Sequence, residues 1–143
     1  TTNLTHNVGL YFGGAIFSHS CTLDMYGDIS IANNFVSEAG GGIYAYQSEV
    51  NFRGNKAVIT GNEAGENGGV IDAVGSTVSL YSGQVKLFGN KAQRGGGMYL
   101  EQNVQLLLKK IITEYACLSF QPNNSFPNPI EKSVTPTPYF LAK

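Results

Sequence analysis

The feature that most constrains this chain is that it repeats itself at a nearly fixed interval. Gly13-Gly14-Ala15-Ile16-Phe17 returns as Gly40-Gly41-Gly42-Ile43-Tyr44, as Gly68-Gly69-Val70-Ile71-Asp72 and as Gly95-Gly96-Gly97-Met98-Tyr99. A second series ends in asparagine and keeps step with the first. It comprises Leu4-Thr5-His6-Asn7, Ile31-Ala32-Asn33-Asn34, Ile59-Thr60-Gly61-Asn62 and Leu87-Phe88-Gly89-Asn90. A third, Leu23-Asp24-Met25-Tyr26, Val50-Asn51-Phe52-Arg53 and Val78-Ser79-Leu80-Tyr81, lies between them and alternates apolar with outward residues. A constant period of this kind, in the 20–50 residue range, is the signature of stacked supersecondary units.

Each repeat therefore holds three short segments of period 2, rich in β-branched and aromatic residues and broken by Gly and Asn. That pattern predicts strands and leaves no room for a helix of useful length. One repeat cannot bury its apolar side, so successive copies must stack, each strand pairing in parallel with its equivalent one coil later at about 4.8 Å. The expected fold is an all-β, single-stranded parallel β-solenoid. Each coil takes up about 27 residues. Three strands per coil and four to five coils are expected, with repeats over residues 1–112 and a degenerate coil and Pro-rich arm over 113–143.

Alternation assigns Ile16, Ile43, Ile71 and Met98 to one inward column, with Ser18, Ala45, Ala73 and Leu100 beside it. Leu23, Val50 and Val78 form another, Met25, Phe52 and Leu80 a third, and Ile31, Ile59 and Leu87 a fourth. Glycines and asparagines fall at the corners, where a positive φ is expected of both residue types. Stacked Asn7, Asn34, Asn62 and Asn90 are placed to pass amide hydrogen bonds from coil to coil as a structural turn ladder.

Composition narrows the function. Glycine is 18 of 143 residues and charged residues are 13%, and nine Lys+Arg against ten Asp+Glu leave net −1. Such a surface offers no basic field for nucleic acid and no acidic run for calcium. No apolar stretch approaches the ~18 residues of a spanning helix, so no membrane insertion by this chain is expected, and Thr1 to Thr5 does not read as a signal peptide. The Gly-Gly-Gly triplets precede strands and lack a following Lys-Ser/Thr, which excludes a phosphate loop. No cofactor or metal site is expected: His6 and His19 are too sparse. Cys21 and Cys117 are too few for a disulfide framework, and their thiol state stays open.

The Gly13 to Ile16 motif, together with Phe52-x-x-Asn55, resembles the repeat signature of chlamydial polymorphic outer membrane proteins. It is also similar to right-handed parallel β-helix repeats of large extracellular proteins. The resemblance covers roughly Leu4 to Leu106 and implies a right-handed β-helix, a fold shared by adhesins, matrix proteins and polysaccharide enzymes.

If Ile43 points in, Tyr44 points out. The outward columns then read Phe17, Tyr44, Asp72, Tyr99 and His19, Tyr46, Val74, Glu101, which makes Phe17, His19, Tyr44, Tyr46 and Tyr99 the candidate partner-binding face. On this face only Asp72 and Glu101 are acidic, in different columns, which argues against a catalytic carboxylate pair. The chain opens in mid-coil, an end expected to be capped, paired or continued. All five prolines lie beyond Gln121, and Phe126, Tyr139 and Phe140 mark the tail as a candidate assembly arm. Two Asn-x-Ser/Thr sequons, at Asn3 and Asn123, fit a secreted protein. The expectation is a non-catalytic extracellular scaffold or adhesion module acting through self-assembly or another protein, in a matrix or biomineral-associated lattice. The alternative is a carbohydrate-binding or carbohydrate-cleaving β-helix, with a glycan as partner.

Overall fold

The computed structural model describes residues 1–81, 84–102, 104–108 and 118–120. Its strands are all parallel, and among the described residues there is no helix. Three sheets run the length of the stack. The first contains Thr2–Thr5, Asp28–Ala32, Lys56–Thr60 and Gln84–Phe88. The second contains Ile16–His19, Ile43–Tyr46, Ile71–Val74, Met98–Glu101 and Leu118–Phe120. The third contains Thr22–Met25, Glu49–Phe52, Thr77–Leu80 and Gln105–Leu108. A fourth, two-residue strand (Val8–Gly9, Phe35–Val36, Glu63–Ala64) adds a narrow ladder at one corner, beyond the three strands per coil that periodicity predicts.

Register is set by the repeat. Ile16 pairs with Ile43, Ile43 with Ile71 and Ile71 with Met98, so each core residue lies on its own equivalent. The fifth rung is supplied by Leu118, opposite Met98, after a shorter interval than the regular coil. Because the side-chain period is 2, a slip by one residue would turn every apolar side chain to solvent, so this register is strongly specified. The interior is sealed: Ile43, Val50, Phe52, Ile59, Ile71 and Val78 are each 0% exposed. Burying each such side chain contributes roughly 1.5–3 kcal/mol. Ile29, Ala57 and Val85 make a further inward column alongside Ile31, Ile59 and Leu87.

The corners correct one expectation. The left-handed residues are not the ladder asparagines but the residues before them: His6, Asn33, Gly61 and Gly89, at φ of 58°, 55°, 66° and 65°. Turning there frees the following Asn to face the stack. Two other columns of positive φ mark two further corners, Gly13, Gly40, Gly68 and Gly95 at one and Ser20, Gln47, Gly75 and Gln102 at the other. The first requires glycine for two reasons, since at Gly40 the φ is 74° and a Cβ would strike the carbonyl of Ile43.

Gly75 differs. Its nearest neighbours to an added Cβ are Gln102 O at 3.6 Å and Gln47 Cγ at 3.8 Å, and glutamine already adopts this turn on the adjoining rungs. Gly75→Gln is therefore expected to change unfolding stability by no more than about 1 kcal/mol, the left-handed strain being offset by lower entropy of the unfolded chain. Urea denaturation checks this, and a loss of several kcal/mol would contradict it.

At the same corner Cys21 occupies the rung position of Ser48 and Ser76. Ser76 Oγ accepts from Ser48 N at 3.0 Å, Ser48 Oγ accepts from Cys21 N at 3.4 Å, and the Cys21 thiol sits 3.2 Å from Ser18 Oγ. Cys21 is an exposed free thiol, and Cys117 lies outside the described residues.

Candidate functional site

The second sheet presents the aromatic residues. Ile16, Ile43, Ile71 and Met98 fill the interior, so Phe17, Tyr44, Asp72 and Tyr99 share the opposite side, in register. Phe17 and Tyr44 lie nearly parallel, with ring centroids 5.6 Å apart and planes 7° apart. His19 stacks on Tyr46 at 5.1 Å, and Phe17 lies 6.4 Å from His19. Four residues of the expected face are thus brought together. Phe17 is 55% exposed, His19 is exposed, and Tyr44 and Tyr46 are half-buried.

Tyr99 is not part of the open surface. It points outward as alternation requires, but it is only 2% exposed, with the Arg94 guanidinium 5.3 Å above its ring. Val74 and Asp72, expected in the same outward columns, are likewise buried.

The cover comes from the residue just before each turn glycine. Phe12, Ala39, Asn67 and Arg94 pair from rung to rung by isolated parallel bridges and lean over the outward column. Phe12 reaches Tyr44, at 4.5 Å between centroids and a tilt of 34°, Asn67 reaches Asp72, and Arg94 reaches Tyr99. Phe12 therefore belongs to the aromatic cluster although no strand contains it. Its position beside the repeating glycine is the signal in the sequence that could have found it. The exposed patch continues through Val8, Leu10 and Tyr11, which precede Phe12.

Asp72 is the chemically unusual member. Burial, and then the nearby Glu101 carboxylate, push its carboxyl up to about 7 against the opposing influence of Arg94 and Asn67. Its Oδ1 and the side-chain oxygen of Asn67 are both buried without a hydrogen-bond partner. Burial, followed by Asp72 itself, raises the Tyr44 phenol above its ordinary range. Among the described residues no group of three or more His, Cys, Asp or Glu is arranged to hold a metal ion, and no helix is long and apolar enough to cross a membrane.

The amide ladder runs along another corner. Asn34 Oδ1 accepts from Asn7 N and Nδ2, both at 2.9 Å; Asn62 Oδ1 accepts from Asn34 N and Nδ2 at 3.1 and 2.8 Å; Asn90 Oδ1 accepts from Asn62 N and Nδ2, both at 3.0 Å. Each Nδ2 of Asn34, Asn62 and Asn90 also donates to a strand carbonyl of the preceding coil, at Leu4, Ile31 and Ile59. Phe126, Tyr139 and Phe140, the candidate arm, lie outside the described residues.

Residues 28–46 match the Chlamydia polymorphic membrane protein (Chlamydia_PMP) repeat. The matched segment contains strand Asp28–Ala32, the ladder residue Asn34, the Gly40 turn and strand Ile43–Tyr46, so it carries the first- and second-sheet strands of one coil and the corners between them. No curated protein and no solved structure matches the chain. Repeat and architecture together describe a PMP-like β-helix repeat protein.

Proposed function

We propose that this chain is a surface-exposed, non-catalytic adhesion or scaffold module that engages a protein partner through the aromatic patch of the second sheet. The observation that carries the reading is the clustering of Phe12 and Phe17 on Tyr44, continued by Val8, Leu10 and Tyr11. Contiguous exposed apolar surface with polar tips is the usual chemistry of a protein-binding patch, and rigid aromatic rings lose little entropy on contact. The polymorphic membrane protein repeat supports surface exposure at a coarse level. A non-catalytic role is supported by Asp72, whose carboxyl is enclosed at 2% exposure and so withdrawn from where a substrate would lie.

The double variant Phe12→Ser/Phe17→Ser tests the reading. Both side chains are exposed, so melting should be unaffected, while adhesion of beads carrying the full chain to cultured epithelial cells should fall about tenfold. Undiminished adhesion by the double variant would remove the patch from consideration.

A further inference from the structure

The aromatic patch ends against a band of carboxylates. Segments 8–12, 35–39 and 63–67 lie on one another as successive rungs, with Val8 opposite Phe35, Phe35 opposite Glu63, Phe12 opposite Ala39 and Ala39 opposite Asn67. Equal spacing between those pairs puts Tyr11, Glu38 and Glu66 in one column. Backbone bonds hold the column in place, from Ala39 N to Tyr11 O at 3.1 Å and from Glu66 N to Glu38 O at 2.8 Å.

The first rung is apolar where it meets solvent. Val8, Leu10 and Tyr11 are 75%, 78% and 62% exposed, and Phe35 carries the patch onto the second rung at 44%. Glu38, Glu63 and Glu66 then take over on the second and third rungs, Glu63 and Glu66 exposed and Glu38 half-buried, and none of the three segments contains a Lys or Arg. Among the described residues none of these carboxylates forms an ion pair. Lys91 stands beyond Glu63 on the fourth rung, and Arg94 is turned to the Tyr99 ring. Like charges directly opposite on neighbouring strands are destabilising, so fold stability gives no account of Glu38 stacked on Glu66. A cation supplied from outside would relieve that repulsion.

An apolar rung next to an unpaired acidic column selects among partners. An anionic lipid surface would be repelled by Glu38 and Glu66. A second copy docking face to face would set these carboxylates against their equivalents or against the apolar rung. A protein segment with basic side chains next to apolar ones fits both halves, and complementarity of this kind fixes orientation and partner choice. Two rungs separate Tyr11 from Glu66, about 10 Å, which about three residues of extended chain span.

Resting on the aromatic patch as the adhesive surface, we propose that this face docks a protein segment whose apolar side chains are followed within a few residues by Lys or Arg. The apolar side chains lie on Val8, Leu10, Tyr11 and Phe35, and the cations lie on Glu38 and Glu66.

Fluorescence anisotropy of the full chain with a labelled peptide joining a Phe-Leu-Phe block to a Lys-Lys-Lys block is expected to show binding below about 1 mM. The counterpart with a Glu-Glu-Glu block should bind at least about tenfold more weakly. Glu38→Gln/Glu66→Gln should abolish that preference at a melting temperature no lower than that of the native chain, and should reduce bead adhesion to epithelial cells about tenfold. No binding of the lysine peptide up to about 1 mM, or equal binding of both peptides, would overturn the assignment. So would patch-dependent self-association, or patch-dependent binding to phosphatidylcholine vesicles in place of the peptide. Bead adhesion that falls with Phe12→Ser/Phe17→Ser but not with Glu38→Gln/Glu66→Gln would overturn the basic partner and leave the aromatic patch standing, whereas adhesion unaffected by either variant would remove both.

Discussion

Replacing Asn62 with alanine is expected to lower unfolding stability by about 3–5 kcal/mol and the melting temperature by about 10–20 °C. Asn62 is fully buried and sits inside the amide ladder with partners on both sides. Its Oδ1 satisfies the backbone N–H and the side-chain amide of Asn34, and its Nδ2 satisfies Ile31 O at 2.9 Å and Asn90 Oδ1 at 3.0 Å. Alanine fills none of these roles, and the groups left behind at Asn34 and Ile31 are in the interior, where an unpaired donor or acceptor costs about 1–3 kcal/mol. Asn7 provides the internal control. It is exposed, it donates to Asn34 Oδ1 through both N and Nδ2, and Asn7→Ala keeps the backbone donor. That substitution should cost less than about 1 kcal/mol. Equal losses for Asn62→Ala and Asn7→Ala in urea unfolding would show that the amide stack contributes little and that packing alone holds the corner.

The stacking itself is legible in the sequence because two periods act together. Alternation decides which side chains face in, and the longer repeat decides which lie on one another, so Ile16, Ile43, Ile71 and Met98 align from the sequence as they do in the fold. The Val8–Gly9 type of strand is not legible, since two residues contain no periodicity to detect. The left-handed positions differ from expectation by one residue for an instructive reason. Recurrence of Asn34, Asn62 and Asn90 arises from what their side chains bond, whereas positive φ makes demands only on the backbone and is met by His6, Asn33, Gly61 and Gly89 in turn.

Burial of outward residues escapes the sequence because alternation gives direction and not cover. Tyr99 lies under Arg94 from a turn, and Phe12 joins Tyr44 from outside any strand, so both depend on where the corner directs the residue before the glycine. Asn51 is a similar case: an asparagine in a strand reads as a solvated outward residue, and only the placement of Asp24, Glu49 and Arg53 around it encloses its amide.

Asp72 should make this solenoid more stable in mild acid than at slightly alkaline pH. In the fold its carboxyl is raised to about 7, principally by burial and then by Glu101, against 3.8 for the unperturbed group. Below about pH 4 both folded and unfolded chains carry the proton, and the full stability is present. As pH rises from 4 to 7 the unfolded chain loses that proton while the folded chain retains it, so stability declines across this window and levels off above it, with a total loss on the order of 4 kcal/mol. Asp24 has the opposite sign, its carboxyl being lowered by hydrogen bonds from Arg53 and Asn51, but it is solvent-exposed and acts only near pH 4, below the main descent. Asp72→Asn keeps the shape and removes the proton equilibrium. The variant should match the native chain near pH 4.5 and exceed it at pH 8 by most of that difference, as read from urea midpoints at the two pH values. A difference between variant and native chain that stays constant from pH 4.5 to pH 8 would mean that enclosure between Tyr44 and Tyr99 does not raise the Asp72 carboxyl.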